Sequence, residues 1–397
     1  MEEVLMPDKR EKLLIINRSF WPVYPVIGEA LLRFAEQHAT KHEVGVILQD
    51  HAGIRKKLAE HQRGQGVNFY PCKAWTVSGS SIARRALDAV FFMVWVFWVL
   101  LYKRPSKVYV STDPPVLVPF IVMLYSKFFG AKYIYHLQDI HPEATNVVVK
   151  VNPWLFRFLK WMDVLSMRKA NLLLTITEEM AEEIRVRSGF RGEIAIVSNP
   201  SVAFDGVVPP PKKEKGFAFC GNAGRLQRIP LLISAIEEYL EQGGELKFIF
   251  AGAGVYEKDL KNLSEKFKDN VVYHGLVSPL KAAQLNCIYE WALLPIEDEV
   301  TRYAFPSKSS SYVFSGAKIM AICSESTSVA QWVLKNKLGV VVPPSKEEIR
   351  NFFFSVENNN ISGKEFSSDR DFLKKQLDFQ VFLEKLGELI FDKKNNE

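Results

Sequence analysis

The sequence lacks the short motifs that mark several common classes of enzyme. No GxGxxG follows the strand that opens either half, although a dinucleotide-binding fold would require one there. A phosphate-binding loop ending in GKS or GKT is missing, and so is a GxSxG nucleophile elbow. These absences argue against NAD-dependent oxidoreductases, P-loop nucleotide hydrolases and serine hydrolases.

Paired cysteines, clustered histidines and a strong excess of one charge are also missing. The four cysteines are scattered without a CxxC pair, which predicts a reduced setting rather than disulfides or a zinc site. The net charge is only +6, which is too small to indicate nucleic-acid binding but suits anionic lipids or phosphorylated substrates. The opening MEEVLMPDKREK has no apolar signal core, so we expect a cytoplasmic protein.

The chain has one long apolar run, AVFFMVWVFWVLLY at 89–102, with arginines before it and basic residues after it. Fourteen residues fall short of the roughly 20 that span a bilayer. Tryptophan, phenylalanine and basic ends favour a helix lying at a membrane surface, and so a peripheral location on the inner face of the cytoplasmic membrane. A buried helix and a true span are the alternatives.

Short apolar strands alternate with helical segments through most of the chain, beginning with LLIINRSF (13–20), VIGEALLRFAEQHA (26–39) and HEVGVILQD (42–50). This alternation predicts an α/β protein with parallel sheets covered on both faces; a mixed α+β layer is the alternative. The proline- and lysine-rich stretch 203–216 predicts a linker. We therefore expect two Rossmann-like, doubly wound domains at 1–202 and 217–397, facing across a cleft, with a charged helical tail.

The stretch AFPSKSSSYVFSG at 304–316 joins a Pro-Ser-Lys turn to the start of a predicted helix. Backbone N–H groups and the helix dipole favour an anion there. Lys308 adds a cation, and hydroxyl donors follow from Ser307, Ser309, Ser310 and Ser311. The pattern predicts a phosphate or diphosphate site; a surface helix with redundant serine caps is the alternative.

Other predicted strands of the second half end in loops that suit a nucleotide diphosphate. In open parallel sheets such loops share one edge, where ligands bind. Their glycines let a ligand approach the backbone closely, and the loops add a guanidinium and an acidic group. The candidate residues are Gly221, Asn222, Arg225, Gly252, Gly254 and Glu297. Ordinary turns are the alternative for each loop alone.

In the first half, the segment YHLQDIHPE at 135–143 follows an apolar strand and is dense in ionisable side chains. Asp139 and His136 could contact an acceptor or take up a proton; a capped strand end is the alternative. Gly28 could let a phosphate approach a helix N-terminus, or could simply begin that helix. Asp369, Arg370 and Asp371 resemble a metal motif, but their charged surroundings predict solvated surface.

The order and spacing of these motifs resemble the GT-B glycosyltransferases, and among them the family-4 retaining enzymes of bacterial surface-polysaccharide synthesis. The resemblance covers about 13–345 and rests on FWP, STDPP, YHLQDIHPE, LLLTITEEM, VSNP, GNAGRLQ, FIFAGAG, YEWALLP and FPSKSSSYVFSGAKIMAI. Within that family, the sequence most resembles the colanic-acid and O-antigen fucosyl or N-acetylfucosaminyl transferases.

The resemblance implies metal-independent transfer from a UDP- or GDP-sugar, with no other cofactor, to a lipid-linked or oligosaccharide acceptor at a membrane surface. It implies that Arg225, Lys308 and the N–H groups of Ser309 and Ser310 hold the diphosphate. Asp139 and His136 would face the acceptor and the sugar, and Gly28 would lie under the phosphates.

The sequence also departs from the family pattern. Tyr303 and Ser311 stand where the family carries two glutamates, and Asn222 and Gln227 stand where it carries cations. Two alternatives therefore stay open: a sugar-nucleotide epimerase of the same architecture, and a non-catalytic partner of another transferase.

Overall fold

The structure is a computed structural model that describes residues 12–24, 26–76, 82–201, 204, 206–361, 366 and 370–391, with only the backbone at 82 and 83. The described residues form two compact units. The first comprises residues up to 146, 151–197 and those from 383 onward; the second comprises 147–150 and 198–382. The charged N-terminal stretch, residues 203 and 205 of the predicted linker, Asp369 and the last six residues lie outside the described residues.

The first unit is built on a seven-stranded sheet in the order β3-β2-β1-β4-β5-β6-β7, in which every neighbouring pair is parallel. Central strands such as β4 are buried along their whole length, as expected when helices cover both faces. The strands are β1 (Lys12–Ile16), β2 (Glu43–Asp50), β3 (Asn68–Lys73), β4 (Lys107–Ser111), β5 (Lys132–Leu137), β6 (Leu172–Thr175) and β7 (Ile194–Ile196).

Helices connect these strands. Asn152 and Thr177 accept hydrogen bonds from backbone N–H groups at the starts of two of them. Gly189 ends the helix that Thr177 begins, and Gly130 ends another, both in the left-handed conformation. The helices before residue 197 are α1 (Ile27–His38), α2 (Ile54–Glu60), α3 (Ile82–Lys103), α4 (Leu117–Phe129), α5 (Glu143–Val148), α6 (Pro153–Lys169) and α7 (Glu178–Ser188).

The second unit has a six-stranded parallel sheet in the order β10-β9-β8-β11-β12-β13. Stacked and edge-on aromatic rings, centred on Phe217, Phe248 and Phe353, fill the core on one face. The strands are β8 (Glu214–Cys220), β9 (Lys247–Ala251), β10 (Val271–Tyr273), β11 (Tyr289–Pro295), β12 (Lys318–Ile322) and β13 (Gly339–Val342).

The later helices include two short 3₁₀ segments, Arg225–Gln227 and Asp298–Arg302, each just after a strand-end loop. The α-helices are α8 (Ile229–Glu241), α9 (Glu257–Lys266), α10 (Pro279–Ile288), α11 (Lys308–Ser315), α12 (Ser328–Lys335), α13 (Lys346–Glu357), α14 (Asp371–Gln376) and α15 (Phe379–Phe391).

The division of the chain differs from the expected one at both ends of the second half. The second unit begins at residue 198, and β8 starts at Glu214, inside the stretch predicted as linker. Most of α15 belongs to the first unit, where the Phe391 ring stacks on His42 at 4.1 Å and Lys107 donates to the Ile390 carbonyl at 2.9 Å. Sequence patterns missed this return because its partners lie some hundreds of residues earlier.

Arg370 is buried, which corrects the expectation of solvated surface at this position. Its guanidinium donates to the carbonyl of Ala317 at 2.8 Å and lies 3.4 Å from that of Leu338. Burial lowers its pKa from the ordinary value. The side chain satisfies the carbonyl groups that directly precede β12 and β13, and so has a structural role.

Helix α3 is longer than the apolar run suggested, since it has 22 residues. Among the described residues it is the one helix long and apolar enough to cross a membrane, by length and composition alone. Only 28% of its most apolar window is buried. It is therefore not an ordinary core helix.

Candidate functional site

The candidate site in the second unit lies where parallel strands end at one edge of the sheet. Gly221 follows β8, Gly252 follows the neighbouring β9, and Glu297 follows β11 on the other side of β8. Because these strands are parallel, their carboxyl ends share one edge, which is where such sheets bind ligands. The structure thus brings together the loops predicted from separate strands.

Lys308, the first residue of α11, lies directly against Gly221. A Cβ added at Gly221 would stand 3.3 Å from the Lys308 amino nitrogen, so the side chain of Lys308 passes close over this glycine. The same nitrogen lies 3.7 Å from the centre of the Phe219 ring. The start of α11 and the end of β8 therefore form one corner of the unit.

The amino group of Lys308 is buried and has no hydrogen-bond partner among the described residues. Burial lowers the pKa of Lys308 to about 7, and the nearby Cys220 thiol opposes that shift. A buried lysine without a counter-ion is costly, because its charged form has left water without compensation. A ligand anion at this corner would supply the missing charge.

The serines of α11 are placed differently from the prediction. The hydroxyl of Ser309 donates to the Pro306 carbonyl at 2.8 Å, and that of Ser310 donates to the Asn199 carbonyl at 2.8 Å. The N–H of Ser309 also donates to Pro306, at 3.1 Å. Their side chains thus cap and anchor the helix, and the donors predicted for a phosphate from Ser309 are engaged within the protein.

The remaining serines of this motif differ in exposure. Ser311, which stands where the resembled family carries a glutamate, is buried. Ser307 is exposed, and its side chain makes no capping hydrogen bond. Ser307 is therefore the predicted serine whose hydroxyl remains open to solvent.

Gly252 and Gly254 pack against the neighbouring loop. A Cβ on Gly252 would lie 2.0 Å from the Gly221 carbonyl oxygen, and one on Gly254 would lie 2.4 Å from the Ala223 carbonyl oxygen. Both have positive φ, at 124° and 159°. These glycines are required by packing of one loop on the next, which fixes the position of the Gly221 turn beside Lys308.

Asn222 and Arg225 are exposed on the same loop. Arg225 begins the first 3₁₀ segment and makes no ion pair with another described residue. Its guanidinium is free to bind an anion from solvent, and guanidinium groups suit phosphate geometry.

Arg228, a second cation close after the GNAGRLQ motif, also lies at this edge. Its guanidinium donates to the Ile296 carbonyl at 2.7 Å and contacts the carboxylates of Glu297 and Asp298 at 3.2 and 3.0 Å. Burial raises the pKa of Glu297, Arg228 opposes this, and Asp298 adds to it. Arg228 therefore ties the loop after β8 to the loop after β11, and Glu297 lies at the predicted edge.

In the first unit, Asp139 lies at the equivalent edge, after β5. Its N–H donates to Thr112 Oγ1 at 3.3 Å, which draws the loop toward the turn after β4. In that turn Asp113 accepts from Arg18 Nε at 2.9 Å and from the Ser19 N–H at 2.8 Å. Arg18 and Asp113 were not selected from the sequence, although they belong to the quoted NRSF and STDPP segments.

Two carboxylates therefore influence each other at this edge. Burial raises the pKa of Asp139 to about 6, and the negative charge of Asp113 adds to the shift. Burial also lowers the pKa of His51, after β2, with Arg18 assisting. A carboxyl group poised near neutrality can accept a proton at physiological pH.

His136 is fully buried within β5, so it does not lie in the loop with Asp139. The Tyr109 hydroxyl lies 2.5 Å from its Nδ1, and its Nε2 has no partner among the described side and main chains. Burial lowers the pKa of His136 to about 3, so the ring is neutral. This environment indicates a core histidine rather than a group that contacts an acceptor.

Gly28 is buried in the first turn of α1, against the loop after β1. A Cβ there would lie 2.6 Å from the Trp21 backbone nitrogen. Packing against the FWP loop thus explains the glycine without a ligand. Over the described ranges, no group of three or more His, Cys, Asp or Glu side chains is placed to hold a metal ion.

Solved structures share this architecture along nearly the whole chain. Sucrose-phosphate synthase from Thermosynechococcus elongatus has a TM-score of 0.72 and 11% identity, covering 96% of this chain and 98% of its own. Anabaena Alr3699/HepE in complex with UDP has a TM-score of 0.65 and 14% identity, covering 95% and 99%. WaaG, a glycosyltransferase involved in lipopolysaccharide biosynthesis, has a TM-score of 0.63 and 12% identity, covering 96% and 100%. Together with the two parallel sheets, these likenesses show the GT-B fold.

Sequence comparison supplies the activity class. Residues 30–200 match the family model described as the glycosyl transferase 4-like domain. A probable glycosyltransferase of Pseudomonas aeruginosa, WbjE, is 23% identical over 276 residues, which are 65% of this chain and 68% of that protein. The chain is a glycosyltransferase of the GT-B fold, with a family-4-like first domain.

Proposed function

We propose that this glycosyltransferase moves a sugar from a UDP- or GDP-sugar to a lipid-linked saccharide during bacterial surface-polysaccharide synthesis, with retention at the sugar carbon. The observation that carries the donor site is the unpartnered Lys308 amino group at the corner of Gly221 and α11. HepE was solved with UDP, and WaaG acts in lipopolysaccharide biosynthesis, which supports the donor class and the pathway class. The sugar, fucose or an N-acetylated deoxy sugar, follows from the sequence resemblance alone.

The chemistry assigned to the second unit is stabilisation of the leaving diphosphate. As the bond from the sugar carbon to the diphosphate oxygen breaks, negative charge develops on the nucleotide diphosphate. Lys308, in its protonated form, and the exposed Arg225 would offset that charge, in surroundings that are already partly desolvated. Ser307 and the first turn of α11 would add donors.

The first unit would contribute the acceptor side. The acceptor hydroxyl forms the new bond to the sugar carbon and loses its proton, which the Asp139 carboxylate can accept, or which passes to the departing diphosphate. Asp113 and Arg18 would position that group through Thr112 and the strand-end turns. His136 and Gly28 take structural roles in this proposal because both are packed inside the unit.

Calorimetric titration with UDP and with GDP tests the donor site. We expect one of them to bind, and we expect substitution of Lys308 by alanine to weaken binding roughly tenfold or more, the amount expected for losing a charged hydrogen-bonding partner. Lys281→Ala, an exposed lysine of α10, is the matched control. Equal affinity in both variants would contradict the assignment of the corner.

Product analysis separates transfer from epimerisation. The fold is also that of a UDP-GlcNAc 2-epimerase from Methanocaldococcus jannaschii, so fold alone does not distinguish the two reactions. With a radiolabelled nucleotide sugar, a transferase labels a lipid or saccharide fraction only when membranes or acceptor are added. A changed sugar without any acceptor would indicate an epimerase, and nucleotide binding without either product would indicate a non-catalytic partner.

A further inference from the structure

Helix α3 presents apolar side chains on two opposite faces. One face packs inside the first unit through Phe92, Val96 and Leu100, which have no exposed surface. At 100° per residue the opposite face consists of a second stripe, in which Trp98 is 63% and Tyr102 79% exposed. The exposed stripe comprises Leu87, Val90, Phe91, Val94, Phe97, Trp98 and Tyr102.

A second exposed stripe lies on α6. Its most exposed member, Trp154, is 78% exposed, and the stripe comprises Trp154, Leu155, Phe158 and Trp161. Helix α4 packs against both α3 and α6, and the rings of Phe120 and Trp161 lie 6.1 Å apart. Half-buried apolar side chains lie along one face of α4 at helical spacing, at Leu117, Phe120, Ile121 and Leu124. We call these three faces the three-helix surface.

The charges on these helices have one sign wherever they are exposed. The three helices contain only two acidic residues, Asp88 and Asp163, and both are buried. The partly or fully exposed charged residues are all basic: Arg84, Arg85, Lys103, Lys127, Arg157, Lys160, Arg168 and Lys169. An apolar, aromatic surface with basic residues around it matches a bilayer that carries anionic headgroups.

Polar contacts hold α3 in the first unit. Asp88 accepts from Gln49 Nε2 at 2.8 Å and from Thr76 Oγ1 at 2.6 Å. Trp95 Nε1 donates to the Tyr70 carbonyl at 3.2 Å. For α3 to cross a bilayer, these buried groups would have to lose their partners in an apolar medium, which is costly. The geometry favours a helix that stays packed in the unit.

We propose that the three-helix surface binds an anionic membrane, with α3 lying in the plane of the bilayer and its exposed stripe, together with that of α6, in the interface. Large contiguous apolar patches are rare on soluble monomers and mark interaction sites. The inference deepens the proposed function, since it names the surface that brings this enzyme to a lipid-linked acceptor.

Vesicle sedimentation with the full chain tests this surface. Wild-type protein should bind vesicles of phosphatidylcholine mixed with phosphatidylglycerol, bind phosphatidylcholine alone more weakly, and lose affinity at high salt. Two triple variants target the stripes: Val94→Ser, Trp98→Ser, Tyr102→Ser on α3, and Trp154→Ser, Phe158→Ser, Trp161→Ser on α6. Each should lower vesicle partitioning roughly tenfold or more, because large apolar groups are lost from the interface.

A matched control replaces exposed apolar residues elsewhere, with Val186→Ser, Leu276→Ser and Leu334→Ser. Phe92 and Trp95 are left unchanged because they pack within the unit. UDP and GDP titrations are run on every variant. Loss of vesicle binding in the stripe variants, with nucleotide binding intact, supports this surface as separate from the donor site, whereas vesicle binding at the wild-type level in both stripe variants, with nucleotide binding intact, refutes this surface and not the donor site. Absence of UDP and GDP binding by the wild type, with vesicle binding that the stripe variants lose, refutes the donor site alone.

Three results would overturn the proposal. Vesicle binding by the α6 variant at the wild-type level would remove α6 from the surface. Resistance of membrane-bound protein to an alkaline carbonate wash would indicate a spanning α3. A wild-type dimer that the variants dissociate, without any vesicle binding, would show that the surface joins two copies of the chain.

Discussion

At the scale of single residues, Lys308 links the stability of the protein to its ligand. Its folded-state pKa of about 7 lies below the ordinary 10.5, so the unfolded chain binds more protons between these values. The Lys308 contribution therefore makes stability rise with pH across that window, and below about pH 7 the charged, unpartnered lysine destabilises the fold.

We predict that Lys308→Met raises the thermal midpoint of the ligand-free protein at pH 7 while abolishing the stabilisation by UDP or GDP. Methionine fills the same space beside Phe219 without a buried charge, and stability gained at the expense of binding is common at functional sites. Differential scanning fluorimetry with and without nucleotide measures both effects, and Lys281→Met serves as the control. A lower midpoint in the ligand-free Lys308 variant would argue for a structural lysine.

Nucleotide affinity should also depend on pH through the same group. Because binding requires the protonated amino group, affinity should fall by up to about tenfold per pH unit above the free-state pKa, and Lys308 adds no dependence below it. Titration calorimetry across this range, in wild type and in Lys308→Ala, isolates the effect. If the affinity of Lys308→Ala depended on pH in the same way, that dependence would belong to another titrating group.

The raised pKa of Asp139 predicts that the rate of sugar transfer falls on the acid side of the pH profile. Its pKa is raised from 3.8 to about 6, so the carboxylate that accepts a proton forms only as the pH rises through that value. The native state binds more protons than the unfolded chain over this window, so the Asp139 contribution makes stability fall as pH rises. Asp139→Asn should lower kcat roughly a hundredfold and remove this fall in rate, whereas Gln138→Ala should keep it. An unchanged pH profile in Asp139→Asn would exclude the carboxylate from catalysis.

At the scale of elements, the loop after β9 packs directly on the loop after β8, and glycines at the contact leave space for the neighbouring backbone. Gly252→Ala should destabilise the protein by roughly 2 kcal/mol or more, for two reasons. The new Cβ would clash with the Gly221 carbonyl, and alanine would have to adopt an unfavourable positive φ. Gly243→Ala also has positive φ but meets no atom within 4 Å, so it should cost only about 1 kcal/mol. Urea denaturation compares the two, and equal costs would show that the loop contact is unimportant.

The loops and elements were predictable from sequence to different degrees. Apolar strands that end in GNAGR and GAG predicted a parallel sheet and the edge of it that carries the candidate binding loops. This was possible because the apolar runs and the glycine turns are both local features of the chain. The partners of Ser309 and Ser310 were not predictable, because a hydroxyl donates to whichever carbonyl the tertiary fold places near it. Arg370 likewise resembles a solvated charge until the carbonyls of Ala317 and Leu338 are known.

At the scale of the whole molecule, α15 follows the second unit in sequence, yet most of it belongs to the first unit. Leu386 has no exposed surface, and Leu383 and Ile390 are nearly as buried. Leu386→Ala should therefore lower the stability of the first unit by about 2–5 kcal/mol. Hydrogen exchange should report faster opening of β1 and β4 and little change in β8, while Val381→Ala, on an exposed position, leaves all three protected. Equal acceleration in both units would contradict the assignment of α15.

The return of α15 also sets an order of events during synthesis. The sheet of the first unit is fully translated by residue 196, yet the helix that covers His38 and His42 follows every strand of the second unit in the chain. All strands of the second unit have left the ribosome's catalytic centre before that helix exists. The unit whose strands are translated first is therefore completed only after the strands of the second unit, and until then its surface near α1 is available to chaperones.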